Sequence, residues 1–202
     1  MVYILLGGIH MTKEKQKLRS MILTALFAAI IGVLAQITIP LPLVPITGQT
    51  LAIGLAATIL GSRYGTLSAI LYLIIGAIGV PVFAEFSAGI SKIFGPTGGY
   101  LVGFIPATFL IGYYLEKTRF TLFHAFIANL IGMIVTLIFG TIWLKISAEL
   151  TWTAAITGGF TPFVVVGIIK AALAAWLGII IRKRLLSARL LFSTSSNMKQ
   201  SA

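Results

Sequence analysis

The chain has 202 residues, of which 58% are hydrophobic and only 9% are charged, whereas soluble domains hold about 45–50% apolar and about 25% charged residues. This composition excludes an ordinary water-soluble domain and predicts a protein that crosses a membrane several times. The sequence contains no cysteine, no aspartate and only four acidic residues, which excludes disulfides, cysteine nucleophiles, Walker-type ATPases, intramembrane aspartyl proteases and clustered carboxylate metal sites.

Six apolar stretches approach the length of about 20 residues that a helix needs to cross the hydrocarbon core. In chain order they cover residues 18–39, 50–60, 64–80, 98–115, 120–144 and 162–181. The second stretch is short for a span of its own. We therefore predict an all-α, six-helix transmembrane domain over residues 11–189, preceded by a leader segment at residues 1–10 and followed by a polar tail at residues 190–202.

Basic residues fall in alternate connections between these stretches. Twelve of the fifteen lysines and arginines precede the first span, follow the sixth, or lie between the second and third or the fourth and fifth. Because basic residues concentrate in cytoplasmic loops, we predict that both termini are cytoplasmic and that the protein lies in the cell membrane. The net charge of +11 is then a topological signal and does not predict a nucleic-acid partner.

Two long loops on the opposite side are predicted to form the functional site. The first, residues 40–50, contains three prolines and Gln49. The second, residues 79–99, is here called the cap; it shows no evident helix or strand, and its large apolar side chains would be exposed if it were disordered. A loop at membrane depth must pack on protein or line a cavity. The cap is therefore predicted to cover a binding site.

Polar side chains within the spans are few, and Lys170 is the most informative. It lies about nine residues into the sixth span, roughly 12 Å along the helix, where an isolated charge costs at least about 2.5–3.5 kcal/mol. We predict a partner, either Glu85 of the cap or the carboxylate of a ligand. Asn129 of the fifth span could bind a ligand or join two helices. His124 has no second histidine or acid nearby in sequence, so an interfacial position is favoured over a catalytic one.

Small residues four positions apart occur in the first, fourth and sixth spans, at Ala25 and Ala29 in the first. This spacing lets helix backbones approach closely in lipid. Internal packing explains most such patterns. A single helix with its small face turned outward would instead dock another membrane protein.

Residues 44–104 carry a set of motifs that resembles the BioY family, the biotin-binding S-components of energy-coupling factor (ECF) transporters. The most specific pieces are VPxTxQTL, LGxRxGxLxxxLYLxxGxxGxPVF and GPTGGYLxGF, and the similarity extends over about residues 18–184. The resemblance implies the six-helix S-component fold and a non-catalytic subunit that captures biotin with high affinity. Transport would then require the coupling subunit EcfT and two cytoplasmic ABC ATPases, with Ala25 and Ala29 docking on EcfT.

The resemblance also implies roles for individual residues, with biotin as the transported ligand and no cofactor. The valerate carboxylate of biotin would meet Lys170 or Lys92. The remaining predicted contacts are Gln49, Asn129, Thr47 and Glu85 for the ureido ring, and Phe83, Phe94 and Tyr100 for the thiophane ring and tail.

One position departs from the family pattern, and three other functions are possible. The family usually has an acidic residue three positions before the lysine, where this chain has Gly167. Either Glu85 or another polar group replaces that acid, or this chain carries a substitution, or binding is weakened. The alternatives to biotin capture are a self-sufficient carrier for biotin or a similar small organic acid, an intramembrane enzyme, which lacks paired carboxylates or a histidine cluster, and a structural anchor.

Overall fold

The computed structural model describes residues 13–191. The predicted leader lies outside these residues, as does the predicted tail beyond residue 191. The elements in chain order are α1 (Lys13–Ala35), β1 (Thr38–Ile39), β2 (Ile46–Thr47), α2 (Gln49–Ala77), α3 (Ile90–Phe94), α4 (Gly98–Lys117), α5 (Leu122–Ser147), α6 (Trp152–Gly159) and α7 (Thr161–Ser187). The two strands, of two residues each, pair in an antiparallel hairpin. The rest of the regular structure in residues 13–191 is helical, and this confirms the prediction of an all-α membrane fold.

The helices run between two ends of one bundle. Arg19 of α1 donates a hydrogen bond from Nη1 to the backbone oxygen of Arg189 at 2.8 Å, so the two ends of the described chain meet at one end, here called the terminal end. The β1–β2 hairpin and the cap lie at the opposite end, here called the cap end. Helix α2 packs on α1, α4 and α7, and α5 packs on α4 and α7. The central position of α2 follows from these contacts.

The predicted number of six spans is not confirmed. Among residues 13–191, five helices are long and apolar enough to cross a membrane. The count is five because the second and third predicted spans form the single helix α2. Gly61 interrupts this helix with φ 82° and ψ −172°, and a Cβ on Gly65 would lie 3.0 Å from the Cα of Ala57. The chain therefore turns back on itself at Gly61. Its two parts, residues 49–60 and 62–77, reach only roughly 18 and 24 Å, so a count of six spans stays a prediction.

Side chains from two other helices satisfy the backbone groups that this break exposes. The backbone N–H of Ser62 donates to Oε1 of Glu116 at 2.8 Å, and the Ser62 hydroxyl donates to Oε2 at 2.6 Å. Arg182 of α7, which is buried, donates to the backbone oxygen of Ile59. In a membrane, backbone polar groups without partners are costly. Gly61 can adopt this positive φ because it has no side chain, and the hydrogen bonds from Glu116 and Arg182 compensate the backbone groups beside it.

Helix α4 crosses the break at Gly112, which makes Gly112→Ala a sharp test of this packing. The added Cβ would overlap the backbone atoms of Gly61 and Ser62, and backbone cannot move aside as a side chain can. We expect a loss of about 1–3 kcal/mol in the free energy of unfolding, measured as a lower melting temperature in detergent. In Gly158→Ala the Cβ meets only the end of the Leu43 side chain.

The same substitution at Gly158 is therefore the matched control. Within a helix, alanine is favoured over glycine by up to about 1 kcal/mol, so Gly158→Ala is expected to be neutral or stabilising. Equal melting temperatures for the two variants would contradict the close crossing of α4 and α2.

The cap is more ordered than predicted. It contains a 3-10 turn at Ala84–Phe86 and the five-residue helix α3, and its last two residues begin α4. The prediction that it has no element is wrong, because a five-residue helix is too short to show a 3.6-residue period. Its apolar side chains also do not all turn inward: Phe83 is buried, whereas Phe86 and Ile90 are exposed. Trp143 of α5 anchors the end of the cap by donating from Nε1 to the Gly95 oxygen at 2.9 Å.

Candidate functional site

A cavity of about 380 Å³ lies inside the bundle beneath the cap. The loop of residues 40–50, the cap and helices α2, α4, α5 and α7 all contribute to its wall. Its volume falls in the range of about 300–1,000 Å³ that is typical of small-molecule sites. Eight of the nine residues predicted to contact a ligand line it, namely Thr47, Gln49, Phe83, Glu85, Lys92, Tyr100, Asn129 and Lys170.

Lys170 points its ammonium into this cavity. Its Nζ donates to the backbone oxygen of Thr47 at 2.6 Å and to Oγ1 of Thr50 at 3.2 Å. Glu85, the predicted protein partner, is neither of these acceptors. Ile168 and Ile169 lie on the outward side of this turn of α7, where their side chains are 42% and 55% exposed. Since both acceptors are neutral and an ammonium has three hydrogens, one N–H stays available for an anion.

Gln49 belongs to a chain of buried hydrogen bonds on the neighbouring wall. Its Oε1 accepts from the Thr47 hydroxyl at 2.7 Å, and its Nε2 donates to the hydroxyl of Tyr72. The Tyr72 hydroxyl in turn donates to the backbone oxygen of Val82 in the cap at 3.2 Å. An amide nitrogen carries two hydrogens, so Gln49 keeps one donor for a ligand.

Asn129 lies deeper, about seven residues from the terminal end of α5 or roughly 10 Å along it. Its Nδ2 donates to Thr58 Oγ1 at 2.9 Å and to the Ala125 backbone oxygen at 2.8 Å. It therefore joins α5 to α2 and also lines the cavity, which combines the two alternatives considered from the sequence. With both amide hydrogens used, Oδ1 is the atom that can accept from a ligand.

Aromatic rings form the apolar part of the wall. The Phe83 ring is buried and sits directly against Gly76, where any Cβ would overlap it. The Tyr100 hydroxyl donates a hydrogen bond to the Gly159 backbone oxygen, so the ring of Tyr100 is the part that faces the cavity. Phe163 packs beside it with ring centroids 6.0 Å apart. These walls suit an apolar ring, whereas the few polar groups fix its orientation.

Comparison with known proteins identifies the family. The sequence model of the BioY family matches residues 11–187. This chain belongs to the BioY family.

Relatives within the BioY family match over most of their length. The biotin transporter BioY2 of Lactococcus lactis is 45% identical over 166 residues, covering 82% of this chain and 91% of that protein. The biotin transporter BioY of Thermotoga maritima is 39% identical, covering 82% of this chain and 97% of that protein. The crystal structure of an S-component for biotin from an ECF-type ABC transporter superposes with a TM-score of 0.77 at 29% identity, covering 86% of this chain and 95% of the other.

Gly167, where the BioY pattern usually has an acid, lies in the cavity wall one turn from Lys170. A Cβ at Gly167 would overlap Sδ of Met133 and lie 2.9 Å from its Cγ. The thioether of α5 therefore fills the space in front of this position. Glu85 is the acidic residue among those that line the cavity. Its side chain is exposed in the cap, at the mouth of the cavity.

Phe94 is the one predicted contact that the structure places elsewhere. Its side chain is 66% exposed and does not line the cavity, so this prediction is wrong for the described conformation. The reason is helical geometry: residues two apart on α3 point about 200° apart. Because Lys92 faces the cavity, Phe94 faces away from it.

Several important residues were not predicted from the sequence. Thr50 bonds Lys170, Met133 covers Gly167, and Tyr72 links Gln49 to the cap. Thr50 directly follows Gln49 in the motif, so its position was a usable signal. Tyr72 and Met133 look like ordinary apolar span residues.

Within residues 13–191, no cluster of histidines and acids could hold a metal ion.

Proposed function

We propose that this chain is the biotin-capturing S-component of an ECF-type ABC transporter and mediates biotin uptake. The observation that carries the proposal is the Lys170 ammonium, which faces a largely apolar cavity under the cap and bonds only neutral oxygens. A largely apolar cavity whose inner ammonium bonds neutral oxygens matches an amphipathic ligand with one carboxylate. The BioY relatives are named biotin transporters, and biotin is such a ligand.

Biotin can be oriented in the cavity by its functional groups. Its carboxylate pairs with Lys170, with Lys92 at the mouth as the second cation. The ureido ring needs acceptors for two N–H groups and donors for its oxygen. Asn129 Oδ1 supplies an acceptor and the free Gln49 amide hydrogen supplies a donor.

The subunit is non-catalytic in this proposal and needs no cofactor of its own. Energy for uptake comes from two ABC ATPases joined through the coupling subunit EcfT. Ala25 and Ala29 of α1 are both exposed on the outer face of the bundle, whereas Ala28 between them is buried. This face is available to a helix of EcfT. The two ends of the described chain lie at the terminal end. The basic residues assign this end to the cytoplasmic side of the cell membrane, and with it both termini.

Titration of the purified chain with biotin tests the function. We expect one biotin per chain with submicromolar affinity in detergent, without ATP or any partner. Absence of heat with folded protein at micromolar concentrations of both components would overturn the proposal. Biotin flux into liposomes that contain only this chain would instead indicate a self-sufficient carrier.

A second titration tests the departure at Gly167. We expect the double variant Gly167→Asp/Met133→Ala to bind biotin about tenfold more tightly than Met133→Ala alone, because a hydrogen bond to a charged acceptor contributes about 1.5–3 kcal/mol. Met133→Ala removes the thioether that a new side chain would overlap and is therefore the matched control. Unchanged binding would mean that no ureido N–H reaches residue 167, and weaker binding would mean that the new carboxylate, one turn from Lys170, competes with the carboxylate of biotin for the ammonium.

A further inference from the structure

Gln36, the first residue after α1, holds the middle of the cap by backbone contacts. Its Nε2 lies 3.1 Å from the Phe83 oxygen and 3.4 Å from the Val82 oxygen, and it also donates to Gly32 at 3.0 Å. Its Oε1 accepts from the backbone N–H of Phe86 at 2.8 Å. One side chain thus bonds the cap just before the 3-10 turn and at the last residue of that turn.

The 3-10 turn that Gln36 bonds has unusual backbone dihedral angles. Glu85 and Phe86 have φ values of 58° and 53°, and residues other than glycine adopt this left-handed region rarely. Such conformations persist where the surrounding structure fixes them. Ser87 closes the turn through bonds with Phe83 and Ala84, and Gln36 supplies the contact from outside the cap.

The segment held in this way is part of the cavity wall. Phe83, Ala84, Glu85 and Ser87 all line the cavity, whereas Gln36 itself does not. The end of the cap is fixed separately by Trp143 at Gly95. Loss of Gln36 would therefore free Phe83 and Phe86 from their bonds to α1, while the Tyr72 hydroxyl still bonds Val82 and Trp143 still holds the end of the cap.

We propose that Gln36 is a positioning residue that keeps residues 82–87 closed over the occupied cavity and thereby slows ligand release. The proposal rests on the proposed function, since biotin is the ligand. Gln36 does not reach the cavity, so it acts on the ligand only through the cap. Its contribution is expected in the dissociation rate, where differences in affinity between related complexes mostly lie.

The test measures association and dissociation rates of biotin separately for the full chain in detergent. Methionine is similar in length to glutamine but has neither the amide nitrogen nor the amide oxygen. For Gln36→Met we expect dissociation to be about tenfold faster and association to change much less. Gln16→Met is the matched control, because it is the same substitution in α1 at the terminal end, far from the cap. It is expected to leave both rates unchanged.

A labelling experiment reports the cap directly. The chain has no cysteine, so Ala84→Cys introduces a single thiol in the wall segment. Without biotin, we expect maleimide to label it faster in the Gln36→Met background than with Gln36 present. A merely destabilising substitution would instead lower the melting temperature without this local change.

The outcomes separate the two proposals. Failure of the unsubstituted chain to bind biotin contradicts the proposed function. Binding by that chain with the same dissociation rate in Gln36→Met overturns the role of Gln36. If Gln36→Met does not fold, Gln36→Glu is measured in the same way; it keeps the acceptor for Phe86 but loses the donors to Val82 and Phe83, so faster dissociation is again expected and an unchanged rate overturns the role.

Discussion

Replacement of Lys170 by alanine is expected to weaken biotin binding roughly thirtyfold or more. Truncation of one partner of a buried charge pair costs about 2–5 kcal/mol, because the other charge is left without compensation. The two oxygens that bond Nζ in the structure, from Thr47 and Thr50, are neutral and cannot replace the ammonium as a partner for a carboxylate. Calorimetric titration of the purified variant measures the loss.

A ligand without the charge shows whether the effect is electrostatic. Biotin methyl ester has the ring system but no carboxylate, so its affinity is expected to fall much less on Lys170→Ala than that of biotin. An equal fall for both ligands would mean that the lysine supports the cavity but does not bind the carboxylate.

Two alanine variants at other sites serve as controls for the Lys170 substitution. Lys145 lies at the cap end, where its Nζ is 5.4 Å from the centre of the Trp152 ring. His124 lies near the terminal end, with Nδ1 3.3 Å from the Tyr114 hydroxyl. Neither residue lines the cavity, so Lys145→Ala and His124→Ala are expected to bind biotin normally. Losses similar to that of Lys170→Ala would contradict the site.

The fold was predictable where hydropathy alone decides it, and less so at Gly61. Apolar stretches located all the long helices and indicated a connection between two spans near Gly61, but they did not indicate how tight the turn at Gly61 is. The turn there is only one residue long because Glu116 and Arg182 provide the hydrogen bonds for the interrupted backbone. These partners lie 54 and 123 residues away from the groups they bond, so no local pattern indicates them.

The candidate site shows the same division between local and distant information. The cavity residues Thr47 and Gln49 stand in one motif that can be recognised from the sequence. The acceptors of Lys170 could not be predicted, since one is a backbone oxygen and the choice between Glu85 and Thr50 depends on how the cap folds. Phe94 was misplaced because the sequence did not reveal α3 and hence which side of it faces inward.

Ala25→Trp and Ala29→Trp are expected to abolish co-purification with EcfT and the ATPases while leaving biotin binding unchanged. Ala25 and Ala29 are exposed and share a stripe of α1 with Ile22 and Val33, which are 58% and 68% exposed. Small side chains allow a second helix to approach closely in lipid. An indole ring would hold the two helices apart and remove the backbone contacts that such packing provides.

Ala172→Trp on α7 is the matched control for this docking face. Ala172 is also exposed, so the substitution places the same indole on another outward surface of the bundle. We expect this variant to assemble normally. Assembly of the Ala25 and Ala29 variants at the normal level would show that α1 meets only lipid there. A loss of assembly in Ala172→Trp as well would mean that the partner covers α7 too, or that any added ring on the outer surface interferes. Biotin titration of each variant separates a docking defect from a folding defect, because none of the three alanines lines the cavity.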